Sequence, residues 1–243
     1  MARPTKIPSY VRDGVILGAA VGLFGITFGV LAVAAGLNVA QASAMSLLVF
    51  TGASQFAVVG VIGAGGSPVS AVASALLLAS RNGIYGLALH GRLSGGVAKR
   101  LFAAQFIIDE STALALGQDD PKASRAAFWA AGLSVFVFWN LGTLLGAMGG
   151  TVLGDPETWG LDAAFPAGFI VLAAPHVRSS EGRVAALAGA VIGLAAVPLL
   201  PVGAPILVAS LGALAGLGYR YWTRNQSGEV ALDEGHPSDE DNP

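Results

Sequence analysis

Cysteine is absent from the 243-residue chain. That excludes disulfides, thiolate metal ligation and a cysteine nucleophile, and it says nothing about compartment. Charge is scarce: Asp, Glu, Lys and Arg make up 12% of the residues, against about 25% in an ordinary soluble domain. With 54% hydrophobic residues, the chain cannot coat a water-soluble surface and reads as an integral membrane protein. Long apolar–polar alternation is missing, and the apolar runs come in helix-length blocks. Both favour α-helical spans over a β-barrel. The H-E-x-x-H zinc pattern is missing too, and nothing calls for a metal, a cofactor or nucleic acid. A serine nucleophile at Ser54 with a distant His90 or His176 is chemically conceivable. However, Gln55 follows the serine and no oxyanion-type glycine run is present, so the chain reads as a non-enzyme.

The net charge of −2 is uneven in origin. Residues 229–243 carry Glu229, Asp233, Glu234, Asp239, Glu240 and Asp241 and no base. The rest is mildly basic and the end reads as an acidic disordered tail. At the other end, Arg3, Lys6 and Arg12 precede the first span, which predicts a cytoplasmic N-terminus. Gly14–Ala35 is too long for the apolar core of a cleavable signal peptide. The organisation expected is a basic arm at 1–13, a transmembrane domain at 14–224 and an acidic tail at 225–243. Its fold class is all-α: a polytopic helical membrane protein of about seven to eight hydrophobic segments, with discontinuous helices.

Segment 1, about Gly14–Ala35, carries Gly14, Gly18, Gly22, Gly25 and Gly29 on one helix face, a stripe suited to close backbone packing. Segment 2, about Ala40–Ala64, has Gly52 among Thr51, Ser54 and Gln55 at its centre. Two readings stand there. One is a break into half-helices that offers free N–H groups to a carboxylate; the other is a continuous helix whose Ser54 and Gln55 bond its neighbours.

Segment 3, Ser70–His90, holds Arg81 just past its middle, with Asn82 beside it and Tyr85 four residues on. A guanidinium at that depth costs about 3 kcal/mol and cannot shed its proton. Arg81 therefore either snorkels or joins a structural ion pair, or binds an anion on a transport path. Segment 4, about Leu101–Leu116, contains Asp109 and Glu110. Either the pair caps a helix end, or one of the two meets Arg81 while the other faces elsewhere. A carboxylate balanced between desolvation and a guanidinium is suited to carry a proton.

Segment 5, about Ala126–Gly149, has Asn140 mid-run, as interhelical glue or as a ligand. The linker Gly150–Asp162 is acidic, segment 6 (about Ala163–Pro175) is kinked by Pro166, and segments 7 and 8 (Val184–Leu200, Ala204–Tyr219) form an apolar hairpin around Pro201 and Pro205. Eight crossings put both termini inside but place Arg92, Lys99 and Arg100 outside, against the positive-inside rule. That conflict disappears if segments 2 and 4 each enter and leave on the same side.

Several of these pieces together resemble the AzlC family, the large subunit of branched-chain amino acid exporters. They are Leu47–Gln55 (LLVFTGASQ), Ser80–Tyr85 (SRNGIY), Asp109-Glu110-Ser111 and Leu161–Phe169 (LDAAFPAGF). The chain departs from the usual family pattern at Ala79-Ser80 and Asn82. The resemblance implies a multi-pass protein of the bacterial inner (cell) membrane that exports branched-chain, small apolar amino acids, and it implies a small AzlD-type membrane partner. The site residues rest on physics. The substrate carboxylate is expected on Arg81, helped by Ser54 and the Gly52 break. Asp109 or Glu110 takes the ammonium or a coupling proton, and Gln55, Asn82, Tyr85 and Asn140 line the path. The alternative is a channel for a small anion or neutral solute, since an arginine beside a broken helix also suits an anion filter.

Overall fold

The computed structural model describes residues 8–93, 95–153 and 176–233, with isolated positions between 158 and 174, and side chains up to residue 226. Among these residues the regular elements are all helices, and the chain separates into two units, residues 1–169 and 170–243.

The first unit is built on two long helices. α1 spans Ser9–Ala34 and α7 spans Pro121–Leu153. At 1.5 Å per residue they are about 39 and 50 Å long, enough to cross a hydrocarbon core of about 30 Å. Among the described residues, these two helices are long and apolar enough to cross by themselves. They pack in parallel. A Cβ on Gly14 would meet the backbone of Ala131 at 3.0 Å, one on Gly18 the Cβ of Ser134 at 2.7 Å, and one on Gly25 the carbonyl of Trp139 at 2.6 Å. Gly29 lies against Thr143 and Ala147, and from the other side Gly142 and Gly146 lie against Gly22 and Ile26. The glycine stripe is thus a packing face, and the absence of side chains is what lets the two backbones touch.

This parallel pair sets a ruler with a Gly14 end and a Gly150 end, against which the other elements can be placed. α2 (Val39–Leu48) starts at the Gly150 end, where α1 stops, and runs inward, its Ser46 hydroxyl bonding Thr143 at 3.1 Å. The helix then breaks. Gly52 adopts φ +59°, a conformation open to glycine at no steric cost. Beside the break, Phe50 packs edge-on against Phe136 at 5.0 Å. α3 (Ala53–Gly63) runs back out: Phe56 meets Phe28 at 5.6 Å, and Gly63 reaches Ala35. Segment 2 is therefore broken, as one of the two readings has it, and returns to the level where it began.

α4 (Pro68–Ala88) crosses to the Gly14 end, where Leu89 is buried with Ala103, Phe106, Ala115 and Phe128. α5 (Val97–Ala104) turns inward again and breaks over residues 105–108, where Phe106 packs on Phe136 at 5.4 Å. α6 (Asp109–Leu116) returns to the Gly14 end, and its Ala115 carbonyl accepts from Ser124 at 2.7 Å. Arg92 closes that end of α6 by donating to the Ala115 and Gln118 carbonyls at 3.2 and 2.8 Å, a cation on free C-terminal carbonyls. Segment 4 is a second hairpin that enters and leaves on one side.

The expected total of about seven to eight hydrophobic segments is not confirmed by the described residues, and within the first unit not every segment is a crossing. Three helices run its length, and two segments are folded back on themselves. The reason is local: α2, α3, α5 and α6 have 10, 11, 8 and 8 residues, against about 20 for a span.

In the second unit, a 3₁₀ turn at His176–Arg178 leads into α8 (Ser180–Ala196), then α9 (Ala204–Ala209) and α10 (Gly212–Asp233). Gly212 sits on Gly189 and Gly216 on Ala185, so α8 and α10 form the antiparallel hairpin expected around Pro201 and Pro205. α10 continues past Arg224 to Asp233. Residues 234–243 of the acidic tail, Pro166 and most of Leu161–Phe169, and the acids of the 150–162 linker lie outside the described residues.

Candidate functional site

The two hairpins enter from opposite ends of the ruler and their tips meet halfway along it. Phe50 from one tip and Phe106 from the other both pack on Phe136, and Phe50, Ile108, Trp139 and Phe28 share one buried cluster. One direct bond joins the tips: the Gln105 amide donates to the Leu47 carbonyl at 2.9 Å. Gln105 thereby satisfies one of the open carbonyls at the end of α2.

Each tip is held by the same device. In the first, the buried Gln55 accepts from the Gly52 N–H at 3.1 Å and donates to the Met45 carbonyl at 3.4 Å, so one side chain staples both half-helices. In the second, the Ser111 hydroxyl accepts from the Ile108 N–H at 3.2 Å and donates to the Phe106 carbonyl at 2.6 Å. Both side chains stand three residues into the helix they start, the position from which a side chain reaches back to the cap. Gln55, expected to line a path, instead closes the break. Gln55→Leu keeps the volume but orphans a buried N–H, at a cost of about 1–3 kcal/mol. The expected result is a lower thermal midpoint in detergent, read by intrinsic fluorescence.

Arg81 projects from α4 to Asp109, the first residue of α6, with Nη1 2.8 Å from Oδ2. Their side chains are 33% and 27% exposed, so the pair is neither sealed nor free in water. Tyr85 and Glu110 lie within electrostatic range of both members. Asp109 and Glu110 also occupy the first turn of α6, where the helix dipole favours negative charge. Both sequence readings of the acidic pair therefore hold together: it starts a helix, and one member meets Arg81. Asn82 is half-buried beside Arg81. Asn140 donates to the Phe136 carbonyl of its own helix at 2.8 Å.

The first unit also holds unmet hydrogen-bonding capacity. Among the described residues, Asp109 Oδ1 and Asn140 Oδ1 are buried acceptors without a donor, and Trp139 Nε1 is a buried donor without an acceptor. The hydroxyls of Ser54, Thr112 and Ser43 are also buried and unpartnered. Ser54 stands in the first turn of α3, and the Trp139 ring lies 3.8 Å from where a Cβ on Gly52 would be. Buried polar atoms are nearly always paired, so a donor and an acceptor left over on the adjacent Trp139 and Asn140 mark a place suited to a molecule with both acceptors and donors. The sequence reading passed over Trp139 and Thr112. An indole N–H at the centre of an apolar run is the signal that finds Trp139, because that N–H needs an acceptor when buried. Ser54→Ala removes a hydroxyl with nothing to lose in the fold. The expected result is an unchanged thermal midpoint with weaker binding of any molecule that occupies the site.

Comparison with known proteins gives a consistent picture. A family model described as AzlC protein matches residues 17–153, which begin inside α1 and end with α7. A Haemophilus influenzae protein described as an uncharacterized membrane protein is 26% identical over 182 residues, covering 74% of this chain and 73% of that one. A Helicobacter pylori protein with the same description is 28% identical over 180 residues, covering 73% and 78%. No solved structure matches.

Proposed function

The chain belongs to the AzlC protein family, and from that premise we propose that it exports branched-chain, small apolar amino acids across the bacterial inner membrane, working with a small AzlD-type partner subunit. The membership and the membrane-protein relatives support a transport role in a membrane. Substrate, coupling and partner are our reading.

The observation that carries it is the Arg81–Asp109 pair at the meeting point of the two tips. A zwitterion needs a cation for its carboxylate and an anion for its ammonium, a few ångströms apart, with apolar surface for its side chain. Here the guanidinium and carboxylate hold one another while the site is unfilled, and a zwitterion replaces both halves of the pair at once. Its carboxylate takes Arg81, with the orphan N–H of Trp139 and the first turn of α3 as further donors. Its ammonium takes Asp109, whose Oδ1 lacks a donor, and Asn140 offers a second acceptor. Asp109 or Glu110 carries the coupling proton when the ammonium leaves. The neutralised arginine favours a zwitterion carrier over an anion filter, which keeps its positive charge unpaired.

Orientation follows from charge. Arg12, Arg92, Lys99, Arg100, Lys122 and Arg125 gather at the Gly14 end against Asp13, Asp119 and Asp120, while 35–38 and 64–67 at the other end carry none. The positive-inside rule puts the Gly14 end, and with it the N-terminus, in the cytoplasm. Once segments 2 and 4 are hairpins, Arg92, Lys99 and Arg100 no longer violate that rule.

The test is efflux from cells loaded with leucine-containing dipeptides, with the gene deleted or supplied together with its partner. Deletion is expected to raise intracellular leucine severalfold and complementation to restore it, by saturable, pH-dependent flux. Unchanged leucine in the deletion strain rejects the substrate. Single-channel currents in a reconstituted bilayer reject the carrier.

A further inference from the structure

We propose that the crevice between α4 and α5 binds an anionic phospholipid, its acyl chain along α4 and its phosphate on Lys99, Arg100 and Arg125. An open cleft of about 610 Å³ runs between these helices, on the opposite side of α4 from Arg81. Its lining is mixed. Gly83, Gly86, Leu87 and Ile107 give it apolar surface, and His90 and Arg100 give it polar groups. Nothing lies within 4 Å of where a Cβ on Gly83 would be, and one on Gly86 would meet only Ile107 Cδ1, at 3.7 Å, so the missing side chains leave room along the helix.

Arg100 also borders a smaller neighbouring hollow with Lys99, Arg125 and Trp129. Among the described residues, Lys99, Arg100 and Arg125 take part in no ion pair. Arg125 donates to the Arg92 carbonyl at 3.4 Å through Nε, which leaves its terminal nitrogens available. Arg92 itself is committed to α6, and Asp120 is committed to the Ala123 N–H at 2.8 Å.

Three uncompensated cations at the mouth of an apolar slot have a specific complement. The ligand must carry negative charge at one end and hydrocarbon at the other. A free anion leaves the slot empty, and a zwitterionic lipid leaves the cations unmatched. Each basic residue near an anionic headgroup contributes independently, so the preference for negative lipid builds multiplicatively. The slot is also lined by Ile107, two residues before Asp109 in the tip of the second hairpin. A bound acyl chain therefore buttresses the element that carries the carboxylate.

The experiment is native mass spectrometry of the full-length protein released from micelles containing equal dioleoyl-phosphatidylglycerol and dioleoyl-phosphatidylcholine. The wild type is expected to retain the glycerol lipid about tenfold or more over the choline lipid. Lys99→Gln with Arg100→Gln, both exposed positions, is expected to bring the two lipids near parity, and Arg125→Gln alone to give an intermediate ratio. Gly83→Leu with Gly86→Leu fills the slot and is expected to reduce retention of both lipids. Equal retention by the wild type, or an undiminished preference in the charge variants, overturns the proposal. So does full displacement of the lipid by inorganic phosphate at equal concentration, which assigns the cations to a free anion.

Discussion

Arg81→Ala and Asp109→Asn are each expected to cut leucine efflux at subsaturating substrate roughly ten- to hundredfold while the full-length protein remains in the membrane. Each variant strands the other member of a pair now 2.8 Å apart. Arg81→Ala leaves a carboxylate at the start of α6 with nothing to receive the substrate's carboxylate. Asp109→Asn leaves a permanent cation with no place for the ammonium. One charge-assisted contact is worth about 1.5–3 kcal/mol, roughly a ten- to hundredfold loss in apparent affinity for either variant. The coupling proton fails as well if Asp109 carries it. Arg81→Lys keeps the charge but loses the planar fork, so it is expected to fall between wild type and alanine. Efflux from dipeptide-loaded cells, normalised to protein in the membrane fraction, measures the effect. Retained efflux in both Arg81→Ala and Asp109→Asn rejects the site.

A second large effect is expected from Gly29→Leu with Gly146→Leu: loss of the folded protein. A Cβ at either position lands on the backbone of the facing helix, on Thr143 and Ala147 in one case and Ile26 in the other. Backbone cannot rotate away as a side chain can, so α1 and α7 must separate along their whole length. Overpacking costs about 1–3 kcal/mol per site when neighbours can adjust, and here they cannot. In a bilayer, close packing is itself the main force that joins helices, so separation removes both attraction and register. Size-exclusion profiles of a fluorescent fusion should lose the monodisperse peak. Gly83→Ala, which meets nothing within 4 Å, should keep it.

The sequence announced these features unequally. Five glycines on one face of α1 announced a close neighbour, because that signal is local and steric, whereas Gly52 among polar residues fitted a break and a continuous helix equally. The break at 105–108 was harder to see. Its residues Phe106, Ile107 and Ile108 continue an apolar run, and the mark of a new helix start is the acidic first turn of Asp109 and Glu110 with Ser111 behind it. The same carboxylates suit a helix start and an ion pair alike, so they do not by themselves locate the break. The structural role of Gln55 was hidden for a similar reason: a polar residue at mid-depth suggests a ligand, and composition does not show that two backbone groups across a break use it. The pairing of Arg81 with Asp109 was accessible, since two opposite charges in apolar surroundings seek each other. That the two breaks face one another is a tertiary fact with no local signature.

The two inward-folded hairpins also bear on how the protein is made. Their helices are too short to be retained in a bilayer as independent spans while the chain is being synthesised. The first hairpin is anchored to α7 through Ser46 and Thr143, 97 positions apart in sequence, which the ribosome covers in about 5–20 s. Until α7 emerges, the glycine face of α1 has nothing to lie against and the first tip has no floor. Nascent chains arrested before residue 121 should therefore be open to proteases and membrane quality control, and release after residue 153 should abruptly protect them.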